Sequence, residues 1–409
     1  MKEKKKLSLP VQLLIAIALG AIAGFVLKEN AAYISFIGQI FMRLLKMCVY
    51  PLVLISIITG VSNVMDVARL KKIGTSFLLY TLATSTAAAL YGAIAMVITK
   101  AGVGVNFEGG LSENSGTVNV GESFVQWVPD NVFAALGNGN MVQIIIFAVF
   151  FGVMLATIRK TEIGQAVYNV VLGLNEIINK MVGAVIKLAP IGVFALIANM
   201  IGTTDLNIVK GIGGYLVAYY GALFVYLLTF LPFVLFFVAK VNPLQFFRNA
   251  LPAMLMAAST CSSAGTLPVT MRVAKERCGV PEDIVEMITA PAATINMDGA
   301  AIEYACYVMF AIHAFNVHMS PLQIIFTIVL CVVMSAGAAG VPGGGIMMCT
   351  ICLNTMGLPD AQMVAVIAGI YILIDFVGTM LNVTSDTVGM VAIAARVNEL
   401  DREVFNAAK

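Results

Sequence analysis

What most constrains this chain is its series of apolar blocks, each about 18 to 30 residues long, the length a helix needs to cross roughly 30 Å of hydrocarbon. Six come first, at about 9–27, 33–61, 75–99, 131–158, 163–202 and 212–239. Of 409 residues, 60% are hydrophobic and 11% charged, against roughly 25% charged in ordinary soluble proteins, and the mean hydropathy is +0.95. Too little polar surface remains to cover a water-soluble body of this size. The expectation is an all-α polytopic membrane protein in contact with lipid. A net charge of only +2, with no basic stripe interleaved with aromatics, argues against nucleic acid as a partner.

Charge between the blocks gives an orientation. Lys2, Lys4, Lys5 and Lys6 precede the first block, Arg69, Lys71 and Lys72 follow the second, Arg159 and Lys160 follow the fourth, and Lys240 and Arg248 follow the sixth. By the positive-inside rule these ends are cytoplasmic. The loop at 101–130, with Glu108, Glu113, Glu122 and Asp130, then lies outside. The first block is read as a membrane helix rather than a cleaved signal, since no small-residue cleavage site closes it. Five of the seven cysteines, Cys48, Cys306, Cys331, Cys349 and Cys352, lie in apolar runs and are read as packing residues. The Cys349/Cys352 pair has no second pair and no histidine beside it, so metal or redox use is disfavoured.

After residue 240 the pattern changes to an internal repeat. Asn242-Pro243-Leu244-Gln245 aligns with Ser320-Pro321-Leu322-Gln323, and Gly279-Val280-Pro281-Glu282 aligns at the same offset with Gly357-Leu358-Pro359-Asp360. Each copy has an apolar arm, a small-residue tip, a second short arm, a Gly-Pro turn and a crossing helix interrupted by polar residues. The tips are 259–265, rich in serine, and 337–345, which holds Pro342 and five glycines in nine residues. Arms this short read as re-entrant hairpins. A unit of that kind crosses the membrane once, so tandem copies run in opposite directions, the inverted repeat of secondary transporters. Six blocks and two crossing helices make eight transmembrane helices plus two hairpins. Arg248, Arg272, Lys275 and Arg277 bracket the first hairpin and place it on the cytoplasmic side; no Lys or Arg occurs from Gly279 to Ala395.

Irregular backbone at membrane depth is tolerated only where it is buried in protein or lines a watered cavity. Two such tips aimed at each other offer backbone N–H groups to a carboxylate. The glycines also suit close helix packing. Four acids occupy the crossing helices: Asp298, Glu303, Asp375 and Asp386. A charge at the bilayer centre costs at least about 2.5–3.5 kcal/mol on insertion scales, so a proton, a bound Na⁺ or a substrate ammonium is expected to neutralise them. Hard cations want oxygen ligands, and Asn296-Met297-Asp298-Gly299 and Thr379 through Asp386 carry amides, hydroxyls and carboxylates.

These residues resemble the dicarboxylate/amino acid:cation symporter family. The resemblance covers essentially the whole chain and is carried by Ser262-Ser263-Ala264-Gly265-Thr266-Leu267-Pro268, Asn296-Met297-Asp298-Gly299, Gly340-Val341-Pro342-Gly343-Gly344 and Asp375 through Asp386. It implies a homotrimer in the cell membrane, with scaffold helices at 1–74 and 131–202. A transport domain would be built from 75–100, 212–240, 243–315 and 320–396, and 397–409 would form a cytoplasmic tail. That domain would carry substrate by an elevator movement with the second hairpin as lid. Transferred by motif, Asp375 would hold a substrate ammonium, and Asn382, Ser263 and the tip backbones its α-carboxylate, with Ser262, Ala300, Val341, Gly343, Gly345, Gly378 and Thr379 completing the substrate site. Asp386 with carbonyls of Asn296, Asn382 and Ala292 would form one Na⁺ site. Asn296, Asp298, Thr84 and Ser85 would form another, and carbonyls of Thr294, Ser335, Ala336 and Ala338 a third. Thr81 stands where the family usually has tyrosine.

The departures from the family bear on specificity. Members that take acidic amino acids carry an arginine where this chain has Gly378, a threonine at Ala300, and in archaeal members an arginine at Cys261; the acid one turn before Asp375 is Tyr371. All four changes point one way, removing cationic grip and opening space. An unpaired substrate carboxylate there would be costly. The expectation is Na⁺-coupled symport or exchange of a neutral L-amino acid, with an acidic amino-acid or C4-dicarboxylate carrier as the alternative. An aspartyl protease using Asp298 with Asp375 or Asp386 is less suitable, because opposed duplicated hairpins serve no purpose in it.

Overall fold

The computed structural model describes residues 9–64, 68–105, 125, 127–203, 206–338, 344–358 and 361–407. Most of the 101–130 loop lies outside them, as does the second tip from 339 to 343, including Val341 and Gly343. Among the described residues every regular element is helical. The chain runs through α1 (Leu9–Leu27), a 3-10 turn (Lys28–Ile34), α2 (Ser35–Val64), α3 (Ala68–Thr99), α4 (Val132–Asn138), α5 (Met141–Ile158), α6 (Glu162–Ile186) and α7 (Ala189–Thr203). It continues through α8 (Leu206–Phe233) with a π-helical end (Val234–Ala239), α9 (Pro243–Thr260), α10 (Ser263–Glu276), α11 (Glu282–Ile295) and α12 (Asp298–Ala314). The last elements are α13 (Pro321–Ala336), α14 (Gly344–Thr355), α15 (Ala361–Arg396) and the short α16 (Arg402–Ala407).

Among the described residues four helices are long and apolar enough to cross a membrane: Ile15–Phe41, Ile73–Thr99, Gly211–Ala239 and Leu373–Arg396. The pair Glu162–Val185 and Ala189–Asn199, bent by 52°, makes a fifth if it counts as one span. Tyr50–Ser62, Val142–Ile158, Pro321–Ala336 and Gly345–Thr355 are apolar but shorter. Many large apolar side chains point outward, among them Phe25, Ile98, Phe150, Val217 and Phe236, as a lipid-facing surface requires.

Packing falls into two groups. α1, α2, α5, α6 and α7 pack mainly on one another, whereas α3, α8 and α9 to α15 pack around α12 and α15. In the long span of α15 89% of the apolar window is buried, against 22% in the first span. α15 is therefore the axis of the second group, and its polar residues sit inside protein.

The repeat seen in the sequence is a repeat of backbone conformation. Asn242 caps α9 by accepting from the Leu244 amide at 2.9 Å, with Pro243 in the first turn. Ser320 caps α13 in a full capping box with Gln323, again with proline next. A cap oxygen satisfies an amide left open at a helix start, and proline there loses no bond. The matching glycines end the second arms in the left-handed region, Gly279 at φ 66° and Gly357 at φ 65°. At Gly279 a Cβ would lie 2.1 Å from the Asp401 carbonyl oxygen, so glycine is required twice over.

That contact belongs to a clasp formed by the C-terminal segment. The Asp401 amide donates to Gly279 O at 2.9 Å. The Arg402 guanidinium donates to Lys240 O at 2.7 Å and Ala239 O at 3.1 Å. Buried Asn249 of α9 donates to both Arg277 O (2.7 Å) and Phe405 O (2.9 Å), and Phe405 is itself buried. Replacing Asn249 with Ala leaves two carbonyls unsatisfied, at about 1–3 kcal/mol for each group left buried. Limited proteolysis of solubilised N249A is expected to cleave within 397–407 at least several-fold faster than wild type; equal rates would show that Asn249 does not hold the tail.

Candidate functional site

The site begins at a break in the chain. Between α11 and α12, Asn296 and Met297 leave helical geometry (φ −97°, ψ 81° and φ −117°, ψ 67°) while staying buried. This unwinding stops one helix and starts another at membrane depth, where only internal partners can satisfy the freed groups. The partners come from α3, α8 and α15. Asp298 is fully buried: its Oδ1 accepts from Ser85 Oγ at 3.0 Å, and its Oδ2 from Tyr226 OH at 2.8 Å and Ser385 Oγ at 2.5 Å. Asn296 Nδ2 donates to Asp386 Oδ1 at 2.8 Å and to Ser385 Oγ at 3.3 Å, and its Oδ1 accepts from Thr84 Oγ1 at 3.3 Å. Tyr80 OH donates to Ser385 O at 2.9 Å.

Thus Thr84, Ser85, Asn296, Asp298 and Asp386 form one connected network, and the Ala292 carbonyl accepts from the Asn296 amide at 3.0 Å beside it. The third expected set is made of backbone carbonyls, which cannot bond to one another; the hydroxyls of its Thr294 and Ser335 donate within their own helices, to Pro291 O and Val332 O. Ala336 and Ala338 end α13, and Ala338 faces a neighbouring cavity. α15 runs unbroken through Asn382–Asp386, and within that stretch the Ser385 carbonyl also accepts from Tyr80 OH. Sequence reasoning missed Tyr226 and Tyr80, and held Ser385 only as one hydroxyl of the Thr379–Asp386 run. A signal for the tyrosines existed: Tyr215, Tyr219 and Tyr226 recur at spacings of 4 and 7 on an apolar helix and so share a face.

The cavity lies next to this network. It opens between α10, α12, α14 and α15, which line it. Ser263, Ala300, Gly345, Asp375, Gly378, Thr379 and Asn382 all line it, as do Cys261, Glu303, Tyr304 and Tyr371. Ser262 is the cap of α10, its Oγ accepting from the Gly265 amide at 3.0 Å. Asp375 Oδ1 accepts from Thr379 Oγ1 at 3.0 Å. Asn382 Oδ1 accepts from the Gly299 amide at 2.7 Å, which ties the cavity wall to the residue after Asp298. Asp298 and Asp386 themselves do not line the cavity.

Two glycines set its shape. A Cβ on Gly299 would lie 2.3 Å from Gly378 O, so α12 and α15 touch through backbone there, and a Cβ on Gly378 would meet Tyr219 OH at 2.8 Å. Tyr219 is fully buried and donates to Ile374 O at 3.2 Å. Gly378 therefore serves packing as well as leaving space for a ligand.

Chemically the site is a carboxylate-rich, hydroxyl-rich chamber with no Lys, Arg or His among its described lining residues. Among the described residues no three of His, Cys, Asp and Glu converge to hold a metal, so a cation here would take amide, hydroxyl and carbonyl oxygens beside a carboxylate. That donor set suits a hard monovalent ion.

Comparison with known proteins agrees with this chemistry. Residues 9–396 match the Sodium:dicarboxylate symporter family. The chain belongs to that family. The symporter is 31% identical to a Proton/sodium-glutamate symport protein of Bacillus caldotenax, over 98% of this chain and 97% of that one. It is 27% identical to a C4-dicarboxylate transport protein of Yersinia enterocolitica (98% and 94% covered) and 27% to one of Aeromonas salmonicida (99% and 96%). It is a transporter of the membrane and not an enzyme.

Gly345 tests the cavity wall. Its amide donates to Tyr371 OH at 3.0 Å, and a Cβ there would come within 2.5 Å of that oxygen and 3.0 Å of Glu303 Oε1. G345A is expected to lower the thermal stability of the solubilised symporter by about 1–3 kcal/mol, an overpacking cost. Tyr371→Phe in the same chain is expected to recover part of it. No loss in G345A would mean that the start of α14 sits away from Tyr371.

Proposed function

We propose that this symporter couples Na⁺ to the movement of a neutral L-amino acid across the cell membrane. The carrying observation is charge: the cavity is lined by Asp375 and Glu303 and by no cationic side chain among its described residues. Asp375 takes the substrate ammonium; Asn382, Ser263 and the hairpin tips, with Val341 and Gly343, take the α-carboxylate. Na⁺ is held at Asp386 with Asn296 and at Asp298 with Thr84 and Ser85. The hydrogen bond from Gly299 N to Asn382 supports linkage, since one residue serves the substrate wall while its partner adjoins the ion network. Ion and substrate then raise each other's affinity by the same factor.

In this reading α9 with α10 and α13 with α14 are opposed re-entrant hairpins, eight helices span the membrane, and both termini are cytoplasmic. Orientation is supported by the clasp, which brings Arg402 to the Lys240 end of α8 and to the base of α9 and α10 near Arg277. The two packing groups support a scaffold, assembled as a homotrimer, and a transport domain that moves as an elevator.

The relatives' names favour a second reading, an acidic amino acid or C4-dicarboxylate moved with Na⁺ or H⁺. That substrate would set a further carboxylate beside Asp375 and Glu303 and would need protons or cations on more than one of them. Uptake of labelled alanine, serine, glutamine, aspartate and succinate into proteoliposomes, with an inward Na⁺ gradient or with choline on both sides, separates the two. Na⁺-dependent uptake of a neutral amino acid, unaffected by excess aspartate, is expected; uptake confined to aspartate or succinate would overturn the neutral reading. Gly378→Arg combined with Tyr219→Phe, which clears the hydroxyl an inserted side chain would strike, is expected to weaken the neutral substrate at least about tenfold, roughly 1.4 kcal/mol, and to admit aspartate.

A further inference from the structure

The neutral-substrate reading leaves two cavity residues without a task. Glu303 is buried, and among the described residues its one hydrogen bond is from the weak thiol donor Cys349 Sγ, at 3.5 Å to Oε1. Next to it Tyr304 is fully buried and its hydroxyl has no partner among the described residues. Both line the cavity. Buried polar groups are almost always paired, and an unmade bond costs about 1–3 kcal/mol. Neither group belongs to the network around Asp298, and neither was assigned a role by motif. An acceptor and an adjacent hydroxyl, both short of partners at one wall of a ligand cavity, mark where a ligand's own polar group completes the bonding.

We infer that Glu303 and Tyr304 form a side-chain subsite for an amino acid ending in a carboxamide. The amide NH₂ donates to the Glu303 carboxyl and the amide oxygen accepts from Tyr304 OH, so one planar group answers both. A hydroxyl answers one at a time, and an aliphatic side chain answers neither and leaves both buried and unpaired. A second carboxylate would face Glu303. Tyr371, fixed by the Gly345 amide, borders the same wall and keeps the start of α14 against it. The inference rests on the neutral-substrate reading and adds to it a class of side chain.

The test is competition for uptake of a labelled neutral substrate in proteoliposomes by isosteric pairs, asparagine against leucine and glutamine against methionine. In wild type the carboxamide member is expected to compete at least about tenfold better, since a site built to bond a polar group rejects the analogue that lacks it. Glu303→Leu and Tyr304→Phe are each expected to bring the ratio to within about threefold. The ratio is internal to each variant, so it does not depend on how much active protein is recovered. Leucine competing as well as asparagine in wild type, or an unchanged ratio in both variants, would overturn the subsite while leaving neutral transport standing. Uptake confined to aspartate or succinate would instead overturn the neutral reading and the subsite with it.

Discussion

Buried carboxylates without cationic partners set the terms for the rest of this molecule. Asp298, Glu303 and Asp386 are each at most 4% exposed, in a stretch from Gly279 to Ala395 that contains no Lys or Arg. A carboxylate in such surroundings is tolerated only when hydrogen bonds or a mobile cation answer it. Much of the inner architecture follows from that need. The chain breaks at Asn296–Met297, α15 is buried on nearly every side, and α3 and α8 turn Ser85 and Tyr226 toward Asp298.

Side chains as short as serine and threonine reach a common centre only if helix axes approach closely, and small residues permit it. A Cβ on Gly92 of α3 would fall 2.7 Å from Ile302 O of α12, and Gly299 rests on Gly378 between α12 and α15. Ala88 and Ala89 are fully buried on α3. These contacts set the distance over which Thr84 and Ser85 act. Glycine at these points and the polar network are thus one design, and enlarging a glycine would lengthen the hydrogen bonds around Asp298.

The repeat units, the polar break and most cavity residues were legible in the sequence because each has a local signature. Asn242-Pro243 and Ser320-Pro321 are helix starts by their own chemistry, and a tip with five glycines and a proline in nine residues disfavours a continuing helix. What was not legible was tertiary. Tyr226 and Ser385 meet only after α8 and α15 are packed against α12; in the sequence Tyr226 sits among apolar neighbours where a hydroxyl looks incidental, and Ser385 is one of several hydroxyls in its run. The unbroken course of α15 was equally hidden, since Asn382 and Asp386 suit a broken helix and a buried unbroken one alike. Gly378 carried two meanings at once: the absence of a cation was readable, its contact with Gly299 was not.

The four acids divide by position into two pairs, and that division bears on how transport can be obligatory. Asp375 and Glu303 line the cavity, whereas Asp298 and Asp386 do not line it and are buried in the network beside it. Asn382 stands between, facing the cavity while accepting from the Gly299 amide beside Asp298. In the proposed reading, a substrate bonded to Asn382 would alter the support of the start of α12, and an ion at Asp298 or Asp386 would act on the same wall. Coupling would then follow from the cost of leaving a buried carboxylate without a partner during the crossing, a cost that falls on the empty or half-loaded carrier.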